Sequence, residues 1–72
     1  MFGTVRNGGL YSESEYVGKT IAEATTYAES GGFIVRITET DGQSIMVDAL
    51  DVKSNRLNFR VKNNIVIGVY GG

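Results

Sequence analysis

Thr20-Ile21-Ala22-Glu23-Ala24-Thr25-Thr26-Tyr27-Ala28-Glu29-Ser30-Gly31-Gly32-Phe33-Ile34-Val35-Arg36-Ile37 carries two hydrophobic periods in succession. Thr20 followed by Glu23 spells a capping box, in which each side chain accepts from the other residue's otherwise unpaired backbone N–H. Ile21, Ala24, Thr25 and Ala28 recur at helical spacing and form one mildly apolar face. Gly31-Gly32 stops the helix, because glycine takes the left-handed C-terminal conformation without steric cost. From Phe33 the period becomes two: Phe33, Val35 and Ile37 alternate with Ile34, Arg36 and Thr38, the pattern of a strand. The apolar face of the helix is mostly alanine, and such small side chains let a helix approach a sheet closely. The stretch therefore predicts an α+β fold in which a single helix packs on a small mixed sheet.

The same reading extends in both directions. Asp41-Gly42 is a turn signal, and Ile45-Met46-Val47 is a second short apolar run. Arg56 to Lys62 alternates strictly, which puts Leu57, Phe59 and Val61 inward and Arg56, Asn58, Arg60 and Lys62 outward. Asn63-Asn64 accepts positive φ and suits a tight hairpin. Ile65 to Tyr70 reads as the last strand, with Gly68 inside it marking a bulge or a close contact. Upstream, Gly3, Gly8 and Gly9 flank Thr4-Val5-Arg6, and Ser12-Glu13-Ser14-Glu15 is a polar connection. Residues 1–15 are thus expected to be a flexible N-terminal arm or edge strand, and residues 16–72 one domain. Between the strands, Asp48 to Asn55 has no clean period. It mixes Leu50 and Val52 with Asp48, Asp51 and Lys53, the composition of an exposed loop, and loops on rigid scaffolds often carry function.

Composition narrows the function. With 72 residues there is room for one domain, and a domain of that size has a marginal core. There are no cysteines and no histidines, so the usual triads, thiol nucleophiles and zinc sites cannot be built from this chain. No phosphate-binding glycine loop is present. The net charge of −1, with basic residues scattered from Arg6 to Lys62, does not suggest a nucleic-acid footprint. No apolar run is long enough to span a membrane, and Met1 to Leu10 lacks the pattern of a signal peptide. As written, the chain is expected in the cytoplasm, with a secreted form cut from a precursor as the other possibility. The expectation is a binding protein with no cofactor and no metal, not an enzyme.

Several of these residues fit a known pattern. Tyr16-Val17-Gly18-Lys19-Thr20-Ile21-Ala22-Glu23-Ala24 resembles the helix start of the potato inhibitor I family. Ile34-Val35-Arg36-Ile37 sits where that family has its first long strand, and Asn55-Arg56-Leu57-Asn58-Phe59-Arg60-Val61 resembles the strand after its inhibitory loop. Arg56-Leu57-Asn58 is closer still to the related small bacterial inhibitors of elastase-type proteases. Val69-Tyr70-Gly71-Gly72 resembles the terminal strand, so the likeness covers residues 16–72.

The resemblance implies a serine-protease inhibitor that presents a rigid, substrate-like loop. It places Asp48, Ala49, Leu50, Asp51, Val52 and Lys53 on the inhibitory segment, with Leu50 filling the protease specificity pocket and the Leu50–Asp51 bond presented. Arg56 would brace the loop, a task suited to the planar fork of a guanidinium, and Asn58 stands where plant and leech members have a second arginine. Ala49 replaces the threonine that the family favours, the usual proline is missing, and the segment from Asp41 to Ala49 is about two residues longer than the family's.

Other readings stay open at this point. Leu50 could pack inward between strands, and Arg56 could be an ordinary solvated strand residue. Asp48 and Asp51 fit a solvated acidic loop better than an acid/base pair, which needs displaced pKa values and a pocket. Terminal Gly71-Gly72 is also found in ubiquitin-like modifiers, but those place a hairpin before the helix. Tyr11, Tyr16, Tyr27 and Tyr70, with Phe2, could form an aromatic surface or divide between core and surface. The alternative function is an oligomeric binding protein on the same scaffold, a homo-oligomer that sequesters a small molecule or blocks a partner protein, as a phage- or bacterium-encoded inhibitor of a defence system would.

Overall fold

The computed structural model describes residues 11–45 and 50–72. Its elements are a 3-10 turn at Glu13–Glu15, helix α1 (Ile21–Ser30), and strands β1 (Ile34–Thr40), β2 (Gln43–Ser44), β3 (Arg56–Lys62) and β4 (Ile65–Gly71). The helix lies on a four-stranded mixed sheet of order β2-β1-β3-β4, in which β1 and β3 are parallel and the other pairs antiparallel. This is a small α+β domain.

The helix ends form as the sequence reading expects. The Glu23 N–H donates to Thr20 Oγ1 and the Thr20 N–H to Glu23 Oε1, each at 3.2 Å. At the other end Gly32 takes φ +91°. Its N–H bonds the Glu29 carbonyl and the Phe33 N–H bonds that of Ala28, which satisfies two carbonyls the helix leaves over. Ala24 and Ala28 are fully buried, so the helix backbone sits close above Leu57, Phe59, Val61, Val66 and Val69. Tyr16 and Phe33, just outside the helix ends, close this core.

Turn chemistry sets the strand registers. Asn63 and Asn64 have φ of 51° and 67°, the left-handed pair that a two-residue hairpin needs. Asp41 and Gly42, at 50° and 85°, do the same between β1 and β2. That turn pairs Thr40 with Gln43 and Glu39 with Ser44, so the second strand forms just before the apolar run that suggested it. Ile45 contributes one further bond, its N–H to the Thr38 carbonyl at 2.9 Å; Met46 and Val47 lie outside the described residues. In β4, Val66 pairs with Val61 and Gly68 with Arg60, which leaves Ile67 as a bulge between them. Gly68 has the close contact: a Cβ there would meet Arg60 Nη1 at 3.2 Å.

Three features depart from the sequence reading. Residues 12–15 are not a plain connection, since the 3-10 turn delivers Tyr16 into the core, where its ring packs against Phe59 at 5.6 Å. Thr20 bridges Ile65, and the Gly18 N–H bonds the Val66 carbonyl, so the start of the helix shields part of the β4 edge. Finally, Arg56 and Asn58 are buried, at 6% and 0% exposure, although they point away from the helix; of the four residues expected outward only Arg60 and Lys62 are exposed. Alternation assigns a residue to a face. It does not say whether that face is covered, and here other parts of the chain cover it.

Because β1 and β3 are parallel, the chain leaving β2 must return to the far end of the sheet before β3 can start. Residues 50–55 complete that return. They arrive where β3 begins and β4 ends, and this placement makes the site.

Candidate functional site

Leu50 and Val52 project into solvent at 91% and 72% exposure, so Leu50 does not pack between the strands. Asp51, between them, turns inward to Arg56. The Arg56 Nη1 donates to Asp51 Oδ2 at 3.2 Å, and Nη2 donates to the Asp51 backbone carbonyl. The same guanidinium reaches the end of β4, with Nη2 and Nε donating to the Gly72 carbonyl at 2.8 and 3.3 Å. One side chain therefore joins the loop backbone, the loop carboxylate and the last strand. A guanidinium can do this because its N–H groups diverge in one plane, and charge-assisted bonds are the strong ones.

Backbone bonds complete the frame. The Gly72 N–H donates to the Arg56 carbonyl at 3.1 Å, the Lys53 N–H to the Gly72 carbonyl at 3.4 Å, and the Ile34 N–H to the Asn55 carbonyl at 2.9 Å. The segment is thus attached at residues 51, 53 and 55. Lys53 Nζ lies 3.7 Å from Asp51 Oδ1. The Asn58 amide is bonded to the strands on either side of it. Its Oδ1 accepts from Arg36 Nε at 2.8 Å and its Nδ2 donates to the Tyr70 carbonyl at 3.2 Å. Arg36, which the sequence reading treats only as an alternating strand residue, reaches within 3.9 Å of Asp51 Oδ2. Its signal in the sequence is slight: a basic residue between Val35 and Ile37 in a strand.

No protein-family model matches the chain, and no curated protein or solved structure matches it.

Asp48 and Ala49, expected to precede Leu50 on the same segment, lie outside the described residues. Among the described residues no three acidic side chains gather in a way that could hold a metal ion, and no helix is long and apolar enough to cross a membrane. The tyrosines divide: Tyr16 is core, the Tyr70 hydroxyl is 3.2 Å from Thr38 Oγ1 on the sheet face away from the helix, and Tyr11 and Tyr27 are partly exposed. Phe2 is outside the described residues.

The electrostatics favour a charged Asp51. The hydrogen bond from Arg56 holds its carboxyl below the ordinary value of 3.8; the charges of Arg56, Lys53 and Arg36 act the same way, against partial desolvation. A carboxylate whose folded pKa is lowered adds stability above its unfolded pKa and loses it as the pH falls through the folded value. The tie to Arg56 is therefore complete at neutral pH and opens only in acid, below the usual carboxylate range. A carboxyl-detected NMR titration is expected to place the Asp51 midpoint below 3.8. A midpoint at or above that value would show that Arg56 does not hold the carboxylate in solution.

Proposed function

We propose that the chain is a non-catalytic inhibitor of a serine protease and that it presents the Leu50–Asp51 peptide bond as a substrate-like segment. The observation that carries this reading is the contrast between two adjacent residues. Leu50 is almost fully exposed, while Asp51 is held at both its carbonyl and its carboxylate by a buried arginine. An apolar side chain offered to solvent from a pinned backbone suits insertion into a protease pocket, because the ordering cost is met before binding.

The chemistry follows from the same geometry. Attack on the Leu50 carbonyl would form an acyl-enzyme and release the amine of Asp51. A free peptide end would diffuse away. Here the Asp51 carbonyl stays bonded to Arg56, so the amine remains beside the acyl group and can re-form the bond. Proximity of this kind strongly favours religation. The resemblance of residues 16–72 to the potato inhibitor I family supports the reading, as does the parallel placement of β1 and β3, which brings residues 50–55 to the end of the sheet where β3 begins.

The experiment is an inhibition assay against chymotrypsin-like and elastase-like proteases. Leu50→Ala is expected to weaken inhibition by roughly thirtyfold, the value of about 2 kcal/mol of buried leucine surface. Because Leu50 is exposed in the free chain, the same change should leave stability within about 0.5 kcal/mol. Leu50→Lys should move preference toward a trypsin-like protease. A stable oligomer whose binding is indifferent to Leu50 would instead favour the sequestering protein, in which the scaffold serves another ligand.

A further inference from the structure

The parallel ladder sets Ile34 opposite Arg56 and Arg36 opposite Asn58. Residues two apart on a strand share a face, so Arg36, Asn58 and Arg56 lie together on the side of the sheet away from the helix. Asn58 is completely buried, and its neighbours fix the direction of its amide. Nδ2 donates to the Tyr70 carbonyl, which leaves Oδ1 to accept from Arg36 Nε. With Nε held, the guanidinium of Arg36 cannot rotate freely, and its Nη1 is directed to within 3.9 Å of Asp51 Oδ2. That oxygen is the one Arg56 Nη1 already holds at 3.2 Å.

We propose that Arg36 is a second positioning residue for the presented segment, oriented by Asn58 and acting through Asp51. This rests on reading residues 50–53 as the inhibitory segment. One arginine on β3 fixes where the carboxylate sits but leaves it free to swing. A second cation from β1 fixes its direction, and the two strands cannot slide past each other without breaking their ladder. The segment is thereby tied to both parallel strands. Lys53 Nζ also approaches Asp51, but that ion pair lies within the segment and so ties the carboxylate to neither strand.

The test is Arg36→Met made in the native chain and in Asp51→Asn, with Arg36→Lys as a variant that keeps the charge. Three quantities are read: the inhibition constant, the rate of cleavage within residues 50–53, and the NMR titration of the Asp51 carboxyl. In the native background Arg36→Met is expected to weaken inhibition and speed cleavage about three- to fivefold, the size of a partly exposed ion pair. In Asp51→Asn the same change should have less than a twofold effect. Arg36→Lys should recover part of the loss. The Asp51 midpoint should move up in Arg36→Met, because a nearby cation has gone. Equal effects in both backgrounds, or an unmoved midpoint, would overturn the proposal. If the native chain inhibits no serine protease, the function proposed above fails, but the Asp51 titration in the free protein still decides whether Arg36 holds that carboxylate.

Discussion

Phe59→Ala is expected to lower the unfolding midpoint by about 12–40 °C and to leave little folded protein at physiological temperature. Phe59 is wholly buried at the centre of β3, a strand with a neighbour on each side. Its ring packs against Tyr16, and it belongs to the same buried cluster as Ala24 and Ala28 of the helix. Truncating such a ring costs about 3–5 kcal/mol, because the transfer energy is lost and a cavity is left. For domains of this size each kcal/mol moves the midpoint by about 4–8 °C. A chain of 72 residues has total stability of only about 4–11 kcal/mol, so the loss is a large share of it. Circular dichroism melts read the effect directly. A midpoint within a few degrees of the native protein would mean that the helix does not pack over β3 as described.

The second large effect is on the site. Arg56→Ala is expected to keep the fold and to weaken the proposed inhibition by about thirty- to a hundred-and-fiftyfold, the equivalent of about 2–3 kcal/mol, with the segment becoming a substrate. The side chain makes four bonds, two to Asp51 and two to the Gly72 carbonyl, all from a charged donor. Such bonds are worth more than neutral ones, and their loss frees residues 50–53 at the point where religation needs them held. The fold should survive because the core lies on the other face of the sheet. Arg56→Lys separates charge from shape: it keeps the attraction to Asp51 but cannot span the Asp51 and Gly72 carbonyls together. It is expected to recover only a minor part of the inhibition. Unchanged inhibition in Arg56→Ala would rule out the bracing role.

The sequence makes some of this legible and hides the rest for physical reasons. The capping box at Thr20 and Glu23, the stop at Gly31-Gly32, the turns at Asp41-Gly42 and Asn63-Asn64, and the apolar face of β3 all depend on neighbours a few residues away. Local pattern is enough to read them. The burial of Arg56 and Asn58 is different. Period two places them opposite Phe59, but Arg56 is bonded to Gly72, and Asn58 to Arg36 and Tyr70, contacts made across the fold. The bridge between Thr20 and Ile65 spans most of the domain and leaves no periodic trace. The apolar Ile45-Met46-Val47 run suggests a strand, while the turn before it sets the register in which Gln43–Ser44 pairs with β1. For the site, a leucine in an irregular polar stretch is visible as a candidate, while its exposure is not. Arg36 is the clearest omission: nothing local connects it to a loop 15 residues later, and only the parallel pairing of β1 with β3 brings the two together.

In the proposed inhibitor Leu50 is offered from a backbone held by Arg56, and this arrangement resists productive cleavage. The most direct measurement is to incubate the chain with a chymotrypsin-like and an elastase-like protease, follow residual activity, and identify any cut by mass spectrometry. The expected result is tight inhibition of at least one of them, with slow cleavage confined to the Leu50–Asp51 bond and both halves remaining associated. Rapid cleavage anywhere in residues 50–55 with full protease activity retained, or no interaction with either protease, would contradict it.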